Sequence, residues 1–196
     1  MDLKRHNITV SSGFWVLLVI AGLLFPLQWV VAWIIASVIH ECGHLIALRI
    51  CKVSWSSMKI RPYGFQINVD TMTPIKEVVC AAGGPLIGLA PLVFARMVPR
   101  TAVCALIQTA CNLLPLSSLD GSRILSGILH GFLSDRRAVQ VSLILERAFI
   151  LLIGFLTLCM SLLGFYGIFP LILLALILIK IVRIKFSCKR SGIRVQ

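Results

Sequence analysis

His40, Glu41 and His44 stand close together in a run of apolar residues that covers positions 29–50. In a helix, residues four apart lie on the same face, so the two histidines can offer their imidazoles to one metal ion. Glu41 lies beside them and could take a proton from a metal-bound water. Cys42 is two residues from His40 and therefore points away from the histidine face. The spacing predicts a hydrolytic zinc site on a helix.

The composition places this site in a membrane. Of the 196 residues, 59% are hydrophobic and 13% are charged, whereas soluble domains are about 45–50% apolar and about 25% charged. Several apolar runs reach the length of about 20 residues that a helix needs to cross a bilayer. Ionisable groups at bilayer depth are costly and usually functional. The sequence thus predicts an intramembrane zinc metalloprotease.

Six membrane spans are expected, which gives an all-α polytopic membrane protein with about six transmembrane helices and a small β-hairpin between helices 2 and 3. The expected spans cover about residues 13–27, 28–50, 78–98, 101–120, 143–163 and 165–182. We expect residues 1–196 to form a single domain, with a core at 13–133 and an additional helix pair at 141–183.

The net charge of +12 is distributed as in a membrane protein rather than a nucleic-acid-binding protein. With six spans, 17 of the 19 lysines and arginines lie on one side of the bilayer, and only Arg96 and Arg100 lie on the other. The excess of positive charge marks the cytoplasmic side. Both termini are therefore expected in the cytoplasm, with the basic tail near anionic lipid and no nucleic acid as a partner.

Asp120 is the expected third metal ligand, because a catalytic zinc usually has three protein ligands. Among only seven acidic residues, it alone ends an apolar segment on the side of the membrane expected for His44. Asn112 and Pro115 interrupt that segment, and broken helices at membrane depth line cavities. Asn112 could hydrogen-bond the substrate or a developing oxyanion.

The segment after the second span alternates apolar and polar residues, in Met58–Arg61 and Phe65–Asp70, around Pro62-Tyr63-Gly64. This pattern predicts a β-hairpin. Two interpretations remain open. The hairpin could be an ordinary loop on the cytoplasmic membrane surface, or its exposed edge, with Phe65 and Ile67, could bind an extended substrate by strand addition.

Two motifs together resemble those of the site-2 protease family of intramembrane zinc metalloproteases. These are His40-Glu41-x-x-His44 and Asn112-x-x-Pro115-x-x-x-Leu119-Asp120-Gly121, and the resemblance covers about residues 35–125. It implies Zn²⁺ on His40, His44 and Asp120, Glu41 as the base, and a substrate guided by Pro62–Val69 and bound near Asn112 and Pro115.

The resemblance also bears on partners. A membrane-embedded or membrane-associated protein is the implied substrate, and there is room for an inhibitory membrane partner. Six spans with cytoplasmic ends are most similar to the stage IV sporulation protein FB branch, which removes a propeptide from a sigma-factor precursor. Gly88 departs from the family, since many members carry asparagine after the Gly-Pro pair.

Two other functions compete with this prediction. A zinc-binding membrane protein without peptidase activity, such as a pseudoprotease, a chaperone or a metal carrier, would need the ligands but would have no use for Glu41. A membrane peptidase of the prenyl-protein processing type would carry its third ligand in a glutamate-bearing motif. The Asn112–Gly121 segment argues against that type.

Overall fold

The computed structural model describes residues 7–61, 64–69, 72–117 and 119–162. These residues are mostly helical and include one small sheet. The strands are β1 (Asn7–Val10), β2 (Trp55–Arg61) and β3 (Gly64–Val69). The helices are α1 (Ser12–Leu24), α2 (Leu27–Ile50), α3 (Pro74–Gly88), α4 (Pro99–Asn112), α5 (Asp120–Phe132) and α6 (Asp135–Leu162), with a 3-10 turn at Ala90–Leu92.

Within the described residues, three helical segments are long and apolar enough to cross a bilayer. They are Leu27–Ile50, Pro74–Leu92 and Asp135–Cys159. The first and fourth expected spans form shorter helices, α1 with 13 residues and α4 with 14. Pro26 lies between α1 and α2 as the N-cap residue of α2, and it has no backbone N–H with which to extend α1. The expected sixth span lies outside the described residues.

Several helix boundaries differ from those expected. α3 begins at Pro74 and ends at Gly88 instead of continuing to residue 98, and it passes through Pro85 without a break. Asp120 begins a new helix, α5, rather than ending the fourth span. α6 begins at Asp135, ahead of the expected start near Leu143. The first turns of α5 and α6 contain polar residues, so the apolar pattern in the sequence did not indicate where these helices begin.

The packing of the helices is the reverse of that in a soluble protein. Between α2 and α4 the interior is built from Ala32, Ala36, Cys104 and Ala105, whereas leucine, isoleucine, phenylalanine and tryptophan side chains are exposed on the outer surface. Small residues let helices approach closely where lipid, not water, surrounds them. The fold therefore has the surface expected of a membrane protein.

α2 packs against both α3 and α4, and α3 also packs against α5. The contact between α2 and α3 is made by backbone at Gly43 and Gly83. A Cβ atom at Gly83 would lie 2.6 Å from the Ala47 Cβ and 2.7 Å from the Gly43 carbonyl oxygen. Glycine is required at this crossing because any side chain would force the two helices apart.

The sheet has the strand order β1-β2-β3. β2 and β3 form the predicted antiparallel hairpin, with Met58 opposite Ile67, and its turn residues 62 and 63 lie outside the described part of the chain. β1 was not predicted, and it pairs in parallel with β2. Trp55, Ile67 and Val69 pack against a cluster formed by Ala47, Leu48 and Cys80. This contact attaches the sheet to α2 close to the histidine motif.

The chain divides into two compact units, Met1–Val139 and Gln140–Gln196. The histidine motif, the sheet and helices α1 to α5 belong to the first unit, which the site analysis below concerns. The expectation of one domain with a core at 13–133 and a helix pair at 141–183 remains a prediction.

Candidate metal centre

α2 carries both histidines on one face, as their spacing predicts. The His40 and His44 rings lie 5.0 Å apart between centroids and nearly perpendicular, at 80°. The His40 side chain is 2% exposed and that of His44 is 12% exposed. Two imidazoles so deeply buried require polar partners, because a buried polar group without a hydrogen bond is destabilising.

Asp120 reaches the histidines because the chain folds back after α4. α4 ends at Asn112, and the following residues connect it to α5, which begins at Asp120. Gly121 lies against the carbonyl groups of Leu113 and Leu114, where a Cβ atom would collide with the backbone. The aspartate-glycine pair therefore lets the first turn of α5 pack directly on the end of α4.

The Asp120 carboxylate lies between the two imidazoles. Its Oδ2 atom is 3.0 Å from His40 Nε2 and 3.2 Å from His44 Nε2. One ligand atom from each of these three residues falls within 4.8 Å of the others. Zinc bonds of about 2.0–2.1 Å in tetrahedral geometry would place neighbouring ligand atoms about 3.3 Å apart. The two nitrogens and one oxygen fit such an ion.

The hydrogen bond of His44 to the backbone supports the same conclusion. Its Nδ1–H donates to the Cys80 carbonyl oxygen at 2.8 Å. This fixes the proton on Nδ1, as is usual for metal-binding histidines. Nε2 then faces a carboxylate oxygen at 3.2 Å, and a metal ion bound by both atoms would make this contact favourable, as a proton on Nε2 also would. The donor set is therefore suited to a metal ion.

Gly84 forms the wall of the site on the α3 side. A Cβ atom at this position would overlap His44 Nε2 and would lie 2.8 Å from His40 Nε2. The missing side chain leaves space next to both metal-facing nitrogens. The space left at Gly84 is a second indication that the residues fit a bound ion.

Glu41 and Asn112 also lie at the site. Glu41 is partly buried beside His40 on α2, and its carboxylate is close enough to His44 to interact electrostatically. The Asn112 side-chain amide lies with Nδ2 3.0 Å from His40 Nε2. The structure thus brings together His40, Glu41, His44, Asn112 and Asp120, although they come from three helices.

The other predicted substrate-binding residues lie in the link between α4 and α5 and on β3. Pro115 is partly buried in the link between α4 and α5. Phe65 and Ile67 belong to β3, whose outer edge pairs with no other strand in the described part of the chain. The Ile67 side chain packs on the interior cluster of Ala47, Leu48 and Cys80. A role for Ile67 in binding would therefore have to come from its backbone.

Two further residues with side chains that can bind metals lie outside the group formed by His40, His44 and Asp120. Cys42 is exposed, and His130 is hydrogen-bonded to the Ser126 carbonyl oxygen at 2.7 Å on its own helix. Sequence reasoning missed the contributions of Cys80 and Gly84. The Gly83-Gly84-Pro85 segment indicated close helix packing, but nothing in the sequence showed that the imidazoles would be the groups packed there.

Comparison with solved structures places the architecture among known folds. The chain resembles the site-2 protease from Methanocaldococcus jannaschii, with a TM-score of 0.65 over 93% of each chain and 19% sequence identity. No family model matches the sequence, and no curated protein matches it either. The shared fold is therefore established at the level of structure, with little sequence similarity.

Replacing Asp120 with alanine should remove most of the bound zinc. The loss of a direct ligand should exceed the roughly 10–100-fold weakening that follows changes around a metal site. Zinc per chain can be measured by mass spectrometry after purification in detergent. Asp135→Ala is the matched control, because Asp135 is an exposed aspartate that also begins a helix. Equal zinc content in both variants would remove Asp120 from the ligand set.

A methyl group at Gly84 should have a similar effect, because it would occupy the space beside both Nε2 atoms. Gly84→Ala should bind zinc at least about tenfold more weakly than the wild-type protein, as judged by competition with a chelator. Gly22→Ala serves as the control, since a Cβ atom at Gly22 meets nothing within 4 Å. Undiminished affinity in Gly84→Ala would contradict the proposed position of the ion.

Proposed function

We propose that this protein is an intramembrane zinc metalloprotease that cleaves a peptide bond in a membrane-embedded or membrane-associated protein. The observation that carries the proposal is the convergence of His40, His44 and Asp120 beside Gly84. Supporting it, the fold is similar to that of a site-2 protease, and three helices are long and apolar enough to span a bilayer.

In this proposal His40 and His44 bind zinc through Nε2, and Asp120 binds it through its carboxylate. When bound, zinc polarises the scissile carbonyl group and acidifies the attacking water. Glu41 takes a proton from that water as the water oxygen attacks the carbonyl carbon. Glu41 later gives a proton to the leaving amine as the C–N bond breaks. Asn112 donates a hydrogen bond to the substrate carbonyl or to the oxyanion.

The substrate must be extended at the bond that is cleaved, because a helix hides its carbonyl groups in hydrogen bonds. The outer edge of β3 offers backbone donors and acceptors to such a strand. We assign Phe65 and Ile67 to this role through their backbone, and Pro115 to the substrate-facing side of the α4–α5 link. The sheet is attached to α2 near the metal centre, which favours delivery of the strand to the site.

The sporulation branch of the family provides the finer proposal, in which the substrate is a sigma-factor precursor and a membrane protein restrains the enzyme. The alternative is a zinc-binding membrane protein without peptidase activity. The partly buried Glu41 beside the ligands favours the enzyme, since a carrier or chaperone has no need of a base at this position.

Glu41→Gln should abolish proteolysis and leave zinc binding nearly unchanged. The amide cannot accept the proton of the attacking water, and general acid–base catalysis typically contributes about 10²–10⁴-fold. Membrane fractions of cells that express the wild-type protein or the variant can be compared by proteomics to find an uncleaved precursor. Co-expression with a sigma-factor precursor tests the finer proposal.

Glu77→Gln is the matched control, because Glu77 lies in the first turn of α3 and outside the metal group. It should cleave like the wild-type protein. Cleavage by Glu41→Gln at the wild-type rate would contradict the mechanism. A wild-type protein that holds zinc but produces no cleaved protein in any membrane fraction would favour the non-enzymatic alternative.

We also propose that both termini lie in the cytoplasm, as the distribution of lysine and arginine indicates. Green fluorescent protein fused to either end should fluoresce, whereas alkaline phosphatase fused to either end should stay inactive. Active phosphatase at one end only would mean an odd number of spans. A phosphatase insertion next to Arg96 and Arg100 should be active, which provides the internal control.

A further inference from the structure

Two buried polar atoms next to the metal centre lack a partner. They are His40 Nδ1 and Thr109 Oγ1, and neither has a hydrogen bond to any residue that the structure describes. Thr109 is 3% exposed on α4, and His40 is 2% exposed on α2. Buried polar groups are nearly always paired with protein or with ordered water. Their shared isolation therefore points to a missing connection between them.

The tautomer of His40 makes that connection necessary. Nε2 lies 3.0 Å from Asn112 Nδ2 and 3.0 Å from an Asp120 carboxylate oxygen. A neutral histidine that binds zinc through Nε2 carries its ring proton on Nδ1. A metal-binding histidine almost always donates its other N–H to a partner that fixes the orientation of the ring. For His44 the partner is the Cys80 carbonyl group, whereas the Nδ1–H of His40 still needs an acceptor.

Gly88 shows that Nδ1 and the threonine hydroxyl face the same small space. A Cβ atom built at Gly88 would lie 2.9 Å from His40 Nδ1 and 3.2 Å from Thr109 Oγ1. Both atoms therefore lie against the same side of Gly88. The lone pairs of a hydroxyl oxygen can accept from an imidazole N–H.

We propose that Thr109 is a positioning residue for the metal centre, whose hydroxyl accepts the Nδ1–H of His40 beside Gly88 when Nε2 holds zinc. This inference rests on the proposed function, because it assumes that His40 holds zinc through Nε2. Thr109 fixes the tautomer and the rotation of the His40 ring, and it does not touch the ion or the substrate. α4 thereby contributes Thr109 to the ring nitrogen that faces away from the ion.

The experiment measures metal affinity of the full-length protein in detergent by titration with Co²⁺ and by competition for Zn²⁺ with a chelator. Thr109→Val removes the hydroxyl at nearly constant volume and should weaken binding about tenfold, the lower end of the range for such partners. Thr109→Ser keeps the hydroxyl and should restore the wild-type affinity. The visible absorption of bound Co²⁺ should shift in the valine variant alone.

Thr101→Val is the control, because Thr101 is also buried on α4 and lies two turns before Thr109. It should bind metal like the wild-type protein. Gly88→Ala fills the shared space and should weaken binding as Thr109→Val does, which gives a second test if the valine variant fails to fold. In ¹⁵N-histidine spectra of the wild-type protein, the Nδ1–H of His40 should be protected from exchange.

Different results would refute the proposed function and the inference about Thr109. A wild-type protein that binds neither Co²⁺ nor Zn²⁺ would refute the proposed function, and the inference would fall with it. Wild-type affinity in Thr109→Val would refute the inference alone. Equal losses in Thr109→Ser and Thr109→Val, or in Thr101→Val and Thr109→Val, would also refute it, since the effect would then come from packing and not from the hydroxyl.

Discussion

The close approach of α2 and α3 is the constraint on which the rest of the site depends. The two helices meet backbone to backbone at Gly43 and Gly83. Only at this separation can the Cys80 carbonyl group accept the proton of His44, and only then does Gly84 lie against the imidazoles. The glycines of α3 thus serve the chemistry of α2, although none of them has a side chain.

The two imidazoles have the same orientation relative to the Asp120 carboxylate. Each imidazole has one nitrogen directed at Asp120 and one directed away from it. The outward nitrogen of His44 donates to backbone on α3, and the outward nitrogen of His40 faces α4. The resulting lone pairs point inward at the carboxylate. In an interior of low polarity a positive charge at the centre, such as a metal ion, would stabilise this arrangement.

The sequence was sufficient to predict the parts of the site that depend on local spacing. The interval between His40 and His44 places both on one helical face, and the scarcity of acidic residues singled out Asp120 as their partner. The roles of Cys80, Gly84 and Thr109 could not be predicted, because they depend on how three helices cross. Helical periodicity shows which face of a helix is apolar, but it does not show which backbone atom a neighbour presents.

The fold was predictable to a similar extent. The alternation around Pro62-Tyr63-Gly64 indicated the hairpin, and the length of the apolar runs indicated α2, α3 and α6. β1 escaped prediction because four residues are too short for a pattern, and their parallel partner lies about 50 positions away along the chain. α3 ends before the expected end of the third span, because the apolar residues after Gly88 form a 3-10 helix and turns instead of α-helix.

The glycine contact between α2 and α3 also limits how a polypeptide can reach the metal centre. Helices that touch through their backbones leave no gap wide enough for an extended chain, and they cannot slide past each other without a collision at Gly83. Lateral entry along this seam is therefore closed. A polypeptide that reaches the metal centre therefore has to pass along other elements, and not between α2 and α3.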